Sequence, residues 1–138
     1  MGDSIDVAEL KITAVHAYNT EEGRSTRKPH RKGEFNGYLI QADGITIYFA
    51  GDTDVIDEMK DFGTVDLAFL PIGGTYVMNA GEAVEAAQLI KPQIFIPMHE
   101  ATTSLRTFAD EVKQHIDTTV ITLEIGAQAT IDYQSVNG

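Results

Sequence analysis

Three short apolar runs in the middle of the chain each end in polar residues that can carry chemistry. They occupy residues 48–54, 69–75 and 95–100. Continuous apolar runs bounded by Gly and Pro are typical of strands that are buried on both faces, as in parallel sheets flanked by helices. Because ligands bind beyond the carboxyl ends of such strands, Asp52 and His99 are predicted to face the same crevice.

The remaining periodicity predicts a sheet of six or seven strands with three helices, in the α/β or the α+β class. Asp43 and Gly44, between two apolar runs, are a strong signal for a β-hairpin. Asn79 and Glu82 form a capping-box pair at the start of a helix. Strands are predicted at residues 10–15, 37–42, 45–50, 67–70, 94–96, 120–125 and 127–133, and helices at 53–62, 79–90 and 103–116.

Composition narrows the classes of function. The 138 residues fit a single domain, 1–138. With no cysteine in the chain, disulfides, cysteine-ligated zinc, iron–sulfur clusters and thiol catalysis are excluded. The 10 basic and 21 acidic residues give a net charge of −11, which argues against nucleic-acid and anionic-membrane partners. The chain has no apolar run of about 20 residues and no basic, apolar leader, so a cytoplasmic protein is predicted.

Residues 19–33 differ from the sequence around them and predict a mobile polar loop. The segment holds five of the ten basic residues, namely Arg24, Arg27, Lys28, Arg31 and Lys32. Two interpretations stay open at this stage. The segment is either a solvated surface loop or a basic lip over a site that accepts an anionic substrate.

A carboxylate and an imidazole at one sheet edge suit Zn²⁺, Mn²⁺ or Fe better than Ca²⁺ or Mg²⁺ alone. The structural alternatives are that Asp52 caps a helix and that His99 caps the following helix or donates to a backbone carbonyl. Two further histidines are candidate ligands. His16 ends the first predicted strand, where the alternative is a half-buried strand residue, and His30 lies in the basic loop, where the alternative is solvent exposure. His115, late on a predicted helix, receives no role.

Residues 45–54 (ITIYFAGDTD), 65–78 (VDLAFLPIGGTYVM) and 91–99 (KPQIFIPMH) resemble the metallo-β-lactamase superfamily in order and spacing. The branch they are most similar to is that of metal-dependent hydrolases related to the lactonase that opens ascorbate 6-phosphate. The resemblance spans roughly residues 5–100. It implies an α+β fold that is half of the αββα sandwich of that superfamily, a mixed sheet with helices on one face.

The resemblance also implies roles for individual residues. Asp52 of the Gly-Asp-Thr turn would bridge two metal ions and orient the reactive water, and His99 would ligate the second ion. A histidine from the loop after the first strand would be the third ligand; the flanking sequence favours His30, with His16 in reserve. Thr53, Asp54 or Tyr76 would hold the imidazoles. The substrate side would be lined by the turn with Gly74, Thr75 and Tyr76 and by basic residues that recruit an anion, Arg27, Arg31 or Lys32.

The chain departs from the family pattern in one large respect. The family's His-x-His-x-Asp-His cluster lies in the N-terminal half of a chain about twice this length, and no histidine precedes His16 here. The resemblance is therefore to the C-terminal half alone. Half a sandwich leaves one sheet face bare, with Leu10, Ile12, Tyr38, Ile40, Ile45 and Ile47 on it. Such a surface predicts a homodimer or pairing with a separate N-terminal half.

The function expected from these features is a metal-dependent hydrolase, alone or as part of a dimer or split enzyme. One or two Zn²⁺ or Mn²⁺ ions would activate water against a small anionic ester, lactone or phosphate. The alternative is a truncated or degenerate metal-binding or interaction domain without catalysis. Nucleic-acid processing is disfavoured by the net charge of −11.

Overall fold

The computed structural model describes residues 2–132, in which seven strands form one mixed sheet. The strands are β1 (Ser4–Val7), β2 (Leu10–Ala17), β3 (Phe35–Ala42), β4 (Ile45–Phe49), β5 (Leu67–Pro71), β6 (Ile94–Met98) and β7 (Thr119–Val120). Two α-helices, α1 (Ala80–Ile90) and α2 (Leu105–His115), and a 3₁₀ helix (Asp57–Asp61) accompany them. Strands β1 to β4 pair antiparallel and β4 to β7 pair parallel, in chain order. Within residues 2–132, no helix has the length and apolar character that crossing a bilayer requires.

Tight turns join the antiparallel strands. Asp43 and Gly44 lie at φ 50° and 77°, so β3 and β4 form the hairpin that the Asp-Gly pair predicts. A second tight turn, with Ala8 at φ 54°, joins β1 to β2. The sequence does not predict β1, because Ala8 and Glu9 offer no Gly, Asn or Asp signal for a turn.

Both α-helices pack on one face of the sheet. On this face the buried side chains of Tyr48, Leu70 and Phe95 belong to one core with those of the helices, including Phe108 of α2. The rings of Phe95 and Phe108 meet edge to face with their centroids 5.3 Å apart. The predicted α+β class, a mixed sheet with its helices on one face, is confirmed.

The opposite face of the sheet is apolar and only partly covered. One cross-strand row runs through six strands and consists of Ile5, Ile12, Ile40, Ile47, Leu67 and Ile94. The side chains of Ile121, Leu123 and Ile131 cover the β5–β6 end of this face. Towards β1 the row becomes open, and Ile5 is 61% exposed. The open apolar face, as we name it, consists of Ile5, Val7, Leu10, Ile12, Tyr38, Ile40, Ile45, Ile47 and Phe49.

The helix predicted at residues 53–62 is wrong over its first half. Only Asp57–Asp61 is helical, as a 3₁₀ turn without a side-chain cap. The backbone before it is used elsewhere, since the Asp54 N–H donates to the Tyr18 carbonyl and the Thr53 carbonyl accepts from the Met78 N–H. These bonds across the structure outweigh the helical spacing of the apolar residues.

The pair of strands predicted at residues 120–125 and 127–133 is also wrong for the part that is described. The structure has β7 (Thr119–Val120), and residues 127–132 form no strand; Tyr133 lies outside the described residues. Pro97 explains why β7 ends early. The Phe95 carbonyl accepts from Ile121 N–H on the β7 side. The backbone groups of alternate residues in β6 point towards β7, so Pro97, two residues after Phe95, is the next to do so. Its nitrogen has no hydrogen to donate, and the pairing with β7 ends there.

Helix α1 begins and ends as its sequence predicts. The Asn79 side chain accepts from the Glu82 N–H at 2.9 Å, and the Glu82 carboxylate accepts from the Asn79 N–H at 3.0 Å. The helix ends at Ile90, Lys91 adopts φ 54°, and Pro92 follows. The capping box therefore fixes the start of the helix that connects two of the parallel strands.

Replacing Asn79 with Ala leaves the first turn of α1 without its side-chain acceptor. We expect the free energy of unfolding to fall by about 1 kcal/mol, as for other lost caps. Urea denaturation followed by circular dichroism measures the change. Asn79→Asp keeps an acceptor at this position and is the control; an equal loss in both variants would contradict a capping role.

Candidate metal centre

Asp52, His30 and His99 meet at the carboxyl-terminal edge of the parallel strands. Asp52 follows β4, His99 follows β6 directly, and His30 comes from the loop between β2 and β3. His30 Nε2 lies 3.3 Å from Asp52 Oδ2, and His99 Nε2 lies 3.7 Å from Asp52 Oδ1. One carboxylate therefore stands between two imidazoles, with a different oxygen facing each.

The hydrogen bonds of His30 set which of its nitrogens carries the hydrogen. Nδ1 lies 3.1 Å from Asn19 Oδ1 and 3.1 Å from the Tyr76 carbonyl oxygen. Both partners are acceptors, so Nδ1 is the protonated nitrogen of the neutral ring and Nε2 presents a lone pair. In that form the lone pair faces Asp52 Oδ2 at 3.3 Å, and a proton or a metal ion between the two acceptors would satisfy both. The donor set therefore fits a divalent metal ion.

The backbone of His99 is held in an unusual conformation by its neighbours. His99 has φ 51°, a left-handed conformation that residues other than glycine adopt rarely. Gly73 packs against it so closely that a Cβ there would lie 2.5 Å from the His99 carbonyl oxygen. Only glycine at position 73 therefore leaves His99 where it is. The His99 and Asp52 side chains are each about two-fifths exposed, so the site opens to solvent.

The turn with Gly74, Thr75 and Tyr76 holds the basic loop beside the site. The Gly74 carbonyl accepts from the Thr26 N–H at 3.1 Å, and the Thr75 carbonyl accepts from the Arg27 N–H at 2.7 Å. The next carbonyl, that of Tyr76, accepts the hydrogen bond from Nδ1 of His30. Three successive carbonyls thus position the loop. The sequence predicts a different role for this turn, the lining of the substrate side, and that role stays a prediction.

The loop is anchored from inside by the buried carboxylate of Asp54. Its oxygens accept hydrogen bonds from the Thr20 N–H at 2.9 Å, the Ser25 hydroxyl at 2.9 Å and the Asn19 amide at 3.2 Å. Lys28 Nζ lies 3.9 Å from the same carboxylate. These contacts favour an ordered loop over the mobile one that the sequence predicts.

The basic residues of the loop divide into two groups. Arg24 pairs with Glu85 at 3.5 Å, Lys32 pairs with Glu58 at 2.7 Å, and Lys28 donates to carbonyls of the loop itself. The remaining two are arginines 27 and 31, whose side chains are exposed and make no ion pair within residues 2–132. The structure thus leaves two arginines of the five basic residues for an external anion.

His16 does not join this group. It lies one residue before the end of β2, in the wall of a cavity of about 190 Å³ that Glu58, Asp61 and Phe62 also line. Its buried Nδ1 has no hydrogen-bond partner within residues 2–132. His115 is the last residue of α2 and is exposed.

Among residues 2–132, no three imidazole or carboxylate groups surround a common point closely enough to hold one metal ion between them. Asp52 presents opposite oxygens to the two histidines. The bridging of two ions by Asp52, which the resemblance implies, stays a prediction. Each ion would then need further ligands from outside these residues.

Comparison with known proteins gives the family. The model of the beta-lactamase superfamily domain matches residues 1–99, and the chain belongs to this superfamily. A UPF0173 metal-dependent hydrolase of Pyrococcus furiosus is 41% identical over 100 residues, which are 70% of this chain and 43% of the relative. A second one, of Staphylothermus marinus, is 42% identical over 126 residues, which are 88% and 51%.

Solved structures agree with this assignment. A protein from Parabacteroides distasonis superimposes with a TM-score of 0.77 at 38% identity, over 88% of this chain and 54% of that one. A metallo hydrolase from the archaeon Ignicoccus hospitalis gives a TM-score of 0.78 at 26% identity, over 96% and 59%. The chain spans about half the length of the curated relatives it matches. Kinship to the ascorbate 6-phosphate lactonase branch stays a prediction.

One residue that the site depends on, Asn19, carries no signal in the sequence. It is a polar residue at the start of a polar loop, and only the fold brings it between Asp54 and His30. Tyr76 contributes through its carbonyl, which no side-chain motif reveals. Backbone acceptors and loop amides of this kind are found only once the long-range contacts are known.

Tyr18, Glu58 and Lys32 clamp both ends of the loop to the 3₁₀ helix. The Tyr18 hydroxyl donates to Glu58 Oε2 at 2.8 Å, and Lys32 Nζ lies 2.7 Å from Glu58 Oε1. Burial raises the pKa of Glu58, but the hydrogen bonds from Lys32, the backbone and Tyr18 outweigh it and hold that pKa below its ordinary value of 4.5. The charged form of Glu58 is therefore the form that the fold stabilises.

Glu58→Gln tests this clamp through the pH dependence of stability. A carboxyl whose pKa is lowered by folding stabilises the native state above its unfolded pKa, and this contribution is lost as the pH falls through the folded value. We expect the wild type to be more stable than Glu58→Gln at about pH 7 and the difference to shrink towards about pH 3. Urea denaturation across this range measures it. Asp61→Asn, nearby and exposed, is the control, and a difference independent of pH would contradict the clamp.

Proposed function

We propose that this chain is the part of a metal-dependent hydrolase whose one or two metal ions would be held by Asp52, His30 and His99. Asp52 would be the central ligand, with the two histidines at its opposite oxygens. The observation that carries the proposal is the bare Nε2 of His30, which faces the carboxylate at 3.3 Å. The names of the relatives, metal-dependent hydrolases, support the same class of activity.

Zn²⁺ or Mn²⁺ at this position would lower the pKa of bound water towards about 7 and polarise a carbonyl or phosphoryl oxygen. The chain's own residues prepare the site for this chemistry. The carboxylate of Asp52 lies at the solvent-exposed edge of the sheet, where water and substrate would reach it. Asn19 and Tyr76 keep His30 in the tautomer that leaves Nε2 free to ligate.

The substrate proposed is a small anionic ester, lactone or phosphate. Arg27 and Arg31 are exposed cations on the loop that carries His30, and the Thr75 carbonyl fixes the backbone of Arg27. Guanidinium groups bind carboxylate and phosphate through paired hydrogen bonds. This local charge is needed because the chain as a whole carries −11 and repels anions at long range.

The remaining metal ligands would come from a second half that packs on the open apolar face. The relatives are about twice as long as the segment they share with this chain, so they have room for a second layer. The face is the surface that such a layer would need, since Ile5 is 61%, Val7 49% and Tyr38 38% exposed. The occupant we propose is therefore a sheet-bearing N-terminal half of the same superfamily rather than a second copy of this chain.

Metal binding is tested by thermal unfolding and isothermal titration with Zn²⁺ and Mn²⁺. Ligand in about 100-fold excess over its dissociation constant stabilises a protein by about 2.7 kcal/mol, so the midpoint temperature rises. We expect Asp52→Asn to abolish the rise, and His30→Ala and His99→Ala each to reduce it. The control is His115→Ala, which alters an exposed histidine on α2 and leaves the rise unchanged. No rise in the wild type would favour a domain without metal chemistry.

Docking on the open apolar face is tested with a separately produced N-terminal half of the Pyrococcus furiosus relative. We expect the two halves to co-elute as a one-to-one complex in size exclusion with light scattering, and the complex to hydrolyse members of an ester, lactone and phosphodiester panel. Tyr38→Lys places a charge on the face and should abolish co-elution. Leu89→Lys, on the exposed surface of α1, is the matched control. A stable dimer of this chain alone would assign the face to a second copy, and a monomer that binds neither would contradict docking.

A further inference from the structure

A second carboxylate lies two residues beyond Asp52 and has no part in the proposed chemistry. Asp54 is fully buried, with 0% of its surface exposed. Its neighbours are all donors: the Thr20 N–H and the Ser25 hydroxyl on Oδ2, the Asn19 amide on Oδ1, and Lys28 at 3.9 Å. A buried carboxylate is costly unless donors satisfy it, so this surrounding is specific for Asp.

Asn19 connects this carboxylate to the candidate metal ligand. Its Nδ2 donates to Asp54 Oδ1 at 3.2 Å and to the Tyr76 carbonyl at 3.0 Å. Its Oδ1 accepts from the His30 N–H at 2.9 Å and faces His30 Nδ1 at 3.1 Å. Because an amide has one donor end and one acceptor end, the acceptors beside Nδ2 decide which end His30 meets.

We propose that Asp54 is a positioning residue that, through Asn19 and together with the Tyr76 carbonyl, sets the tautomer of His30. The carboxylate takes the amide hydrogens of Asn19, so the amide oxygen turns to His30, where it accepts from Nδ1 and leaves Nε2 as the lone-pair nitrogen towards Asp52. The proposal rests on the proposed metal role of His30. It adds the reason why a buried charge is kept two residues from the site.

Packing around Asp54 supports a fixed role for its carboxylate. A Cβ at Gly23 would lie 2.2 Å from Asp54 Oδ2, so the loop passes over the carboxylate with no room for a side chain. The Asp54 N–H is itself bound to the Tyr18 carbonyl at 2.9 Å, one residue before Asn19. The carboxylate and the amide it orients are thus held by the same piece of backbone.

The competing explanation is that Asp54 anchors the loop and nothing more. The two oxygens of the carboxylate separate these roles. Ser25→Ala removes an anchor from Oδ2 and leaves the Asn19 contact on Oδ1 in place. Asp54→Asn keeps the size of the side chain but sets an amide hydrogen against the Asn19 amide, which favours the flipped Asn19 and the other tautomer of His30.

The test is nitrogen NMR of histidine-labelled, metal-free chain at about pH 9, where imidazoles of ordinary pKa are neutral. We expect Nδ1 of His30 to carry the hydrogen in the wild type and in Ser25→Ala. In Asp54→Asn the population with the hydrogen on Nε2 should rise measurably, although the Tyr76 carbonyl still accepts from Nδ1. Asn19→Ser shortens the connecting side chain and spares the contacts on Asp54 Oδ2. It should raise the same population and serves where Asp54→Asn fails to fold.

A second readout is the Zn²⁺ dissociation constant by isothermal titration. Loss of an outer hydrogen-bond partner of a ligating histidine weakens metal binding by about 10- to 100-fold, which we expect for Asp54→Asn and Asn19→Ser but not for Ser25→Ala. An unchanged His30 tautomer in folded Asp54→Asn and Asn19→Ser overturns the proposal. If the tautomer of His30 moves in the variants but the wild type does not bind metal, Asp54 is still a positioning residue. That result would contradict the proposed function and leave the proposal for Asp54 in place.

Discussion

The approach of two imidazole nitrogens to opposite oxygens of Asp52 is the interaction on which the rest of this site depends. Nδ1 of His30 faces two acceptors, so the neutral ring has no hydrogen on Nε2 to donate to the Asp52 carboxylate 3.3 Å away. Like partial charges at this distance repel, so the arrangement persists only with a cation or a proton between the groups. The turn carbonyls, the loop anchors and the glycine beside His99 all hold groups that would otherwise move apart.

The parts of the site that the sequence predicts are those fixed by the sheet. Asp52 and His99 follow strands with clear apolar signals, and parallel strands bring their carboxyl ends to one edge. His30 is different, because nothing in the loop sequence says which turn will hold it; its place depends on the Tyr76 carbonyl, a contact 46 positions away. The wrong helix at residues 53–62 has the same origin, since Asp54 and its neighbours bind the loop instead of starting a helix.

The proposed second half would account for both the open apolar face and the small number of metal ligands at the site. The helices bury one side of the sheet over its parallel part, with Tyr48 and Phe95 inaccessible, while the other side is covered only where residues 121–131 reach. A sheet whose second face is apolar over six strands is built to carry another layer. A layer at that position would adjoin the sheet that carries Asp52 and could supply the further metal ligands that the proposed site needs.

Charge explains how such a site would choose its substrate. At physiological ionic strength the field of the −11 net charge is screened beyond about 8 Å, so an anion close to the loop responds to local cations more than to the whole protein. Three of the five basic side chains of the loop are bound to Glu85, Glu58 or loop carbonyls. Arg27 and Arg31 remain exposed on the segment that carries His30. These two side chains therefore place unpaired positive charge on the loop where the candidate ligand is already held.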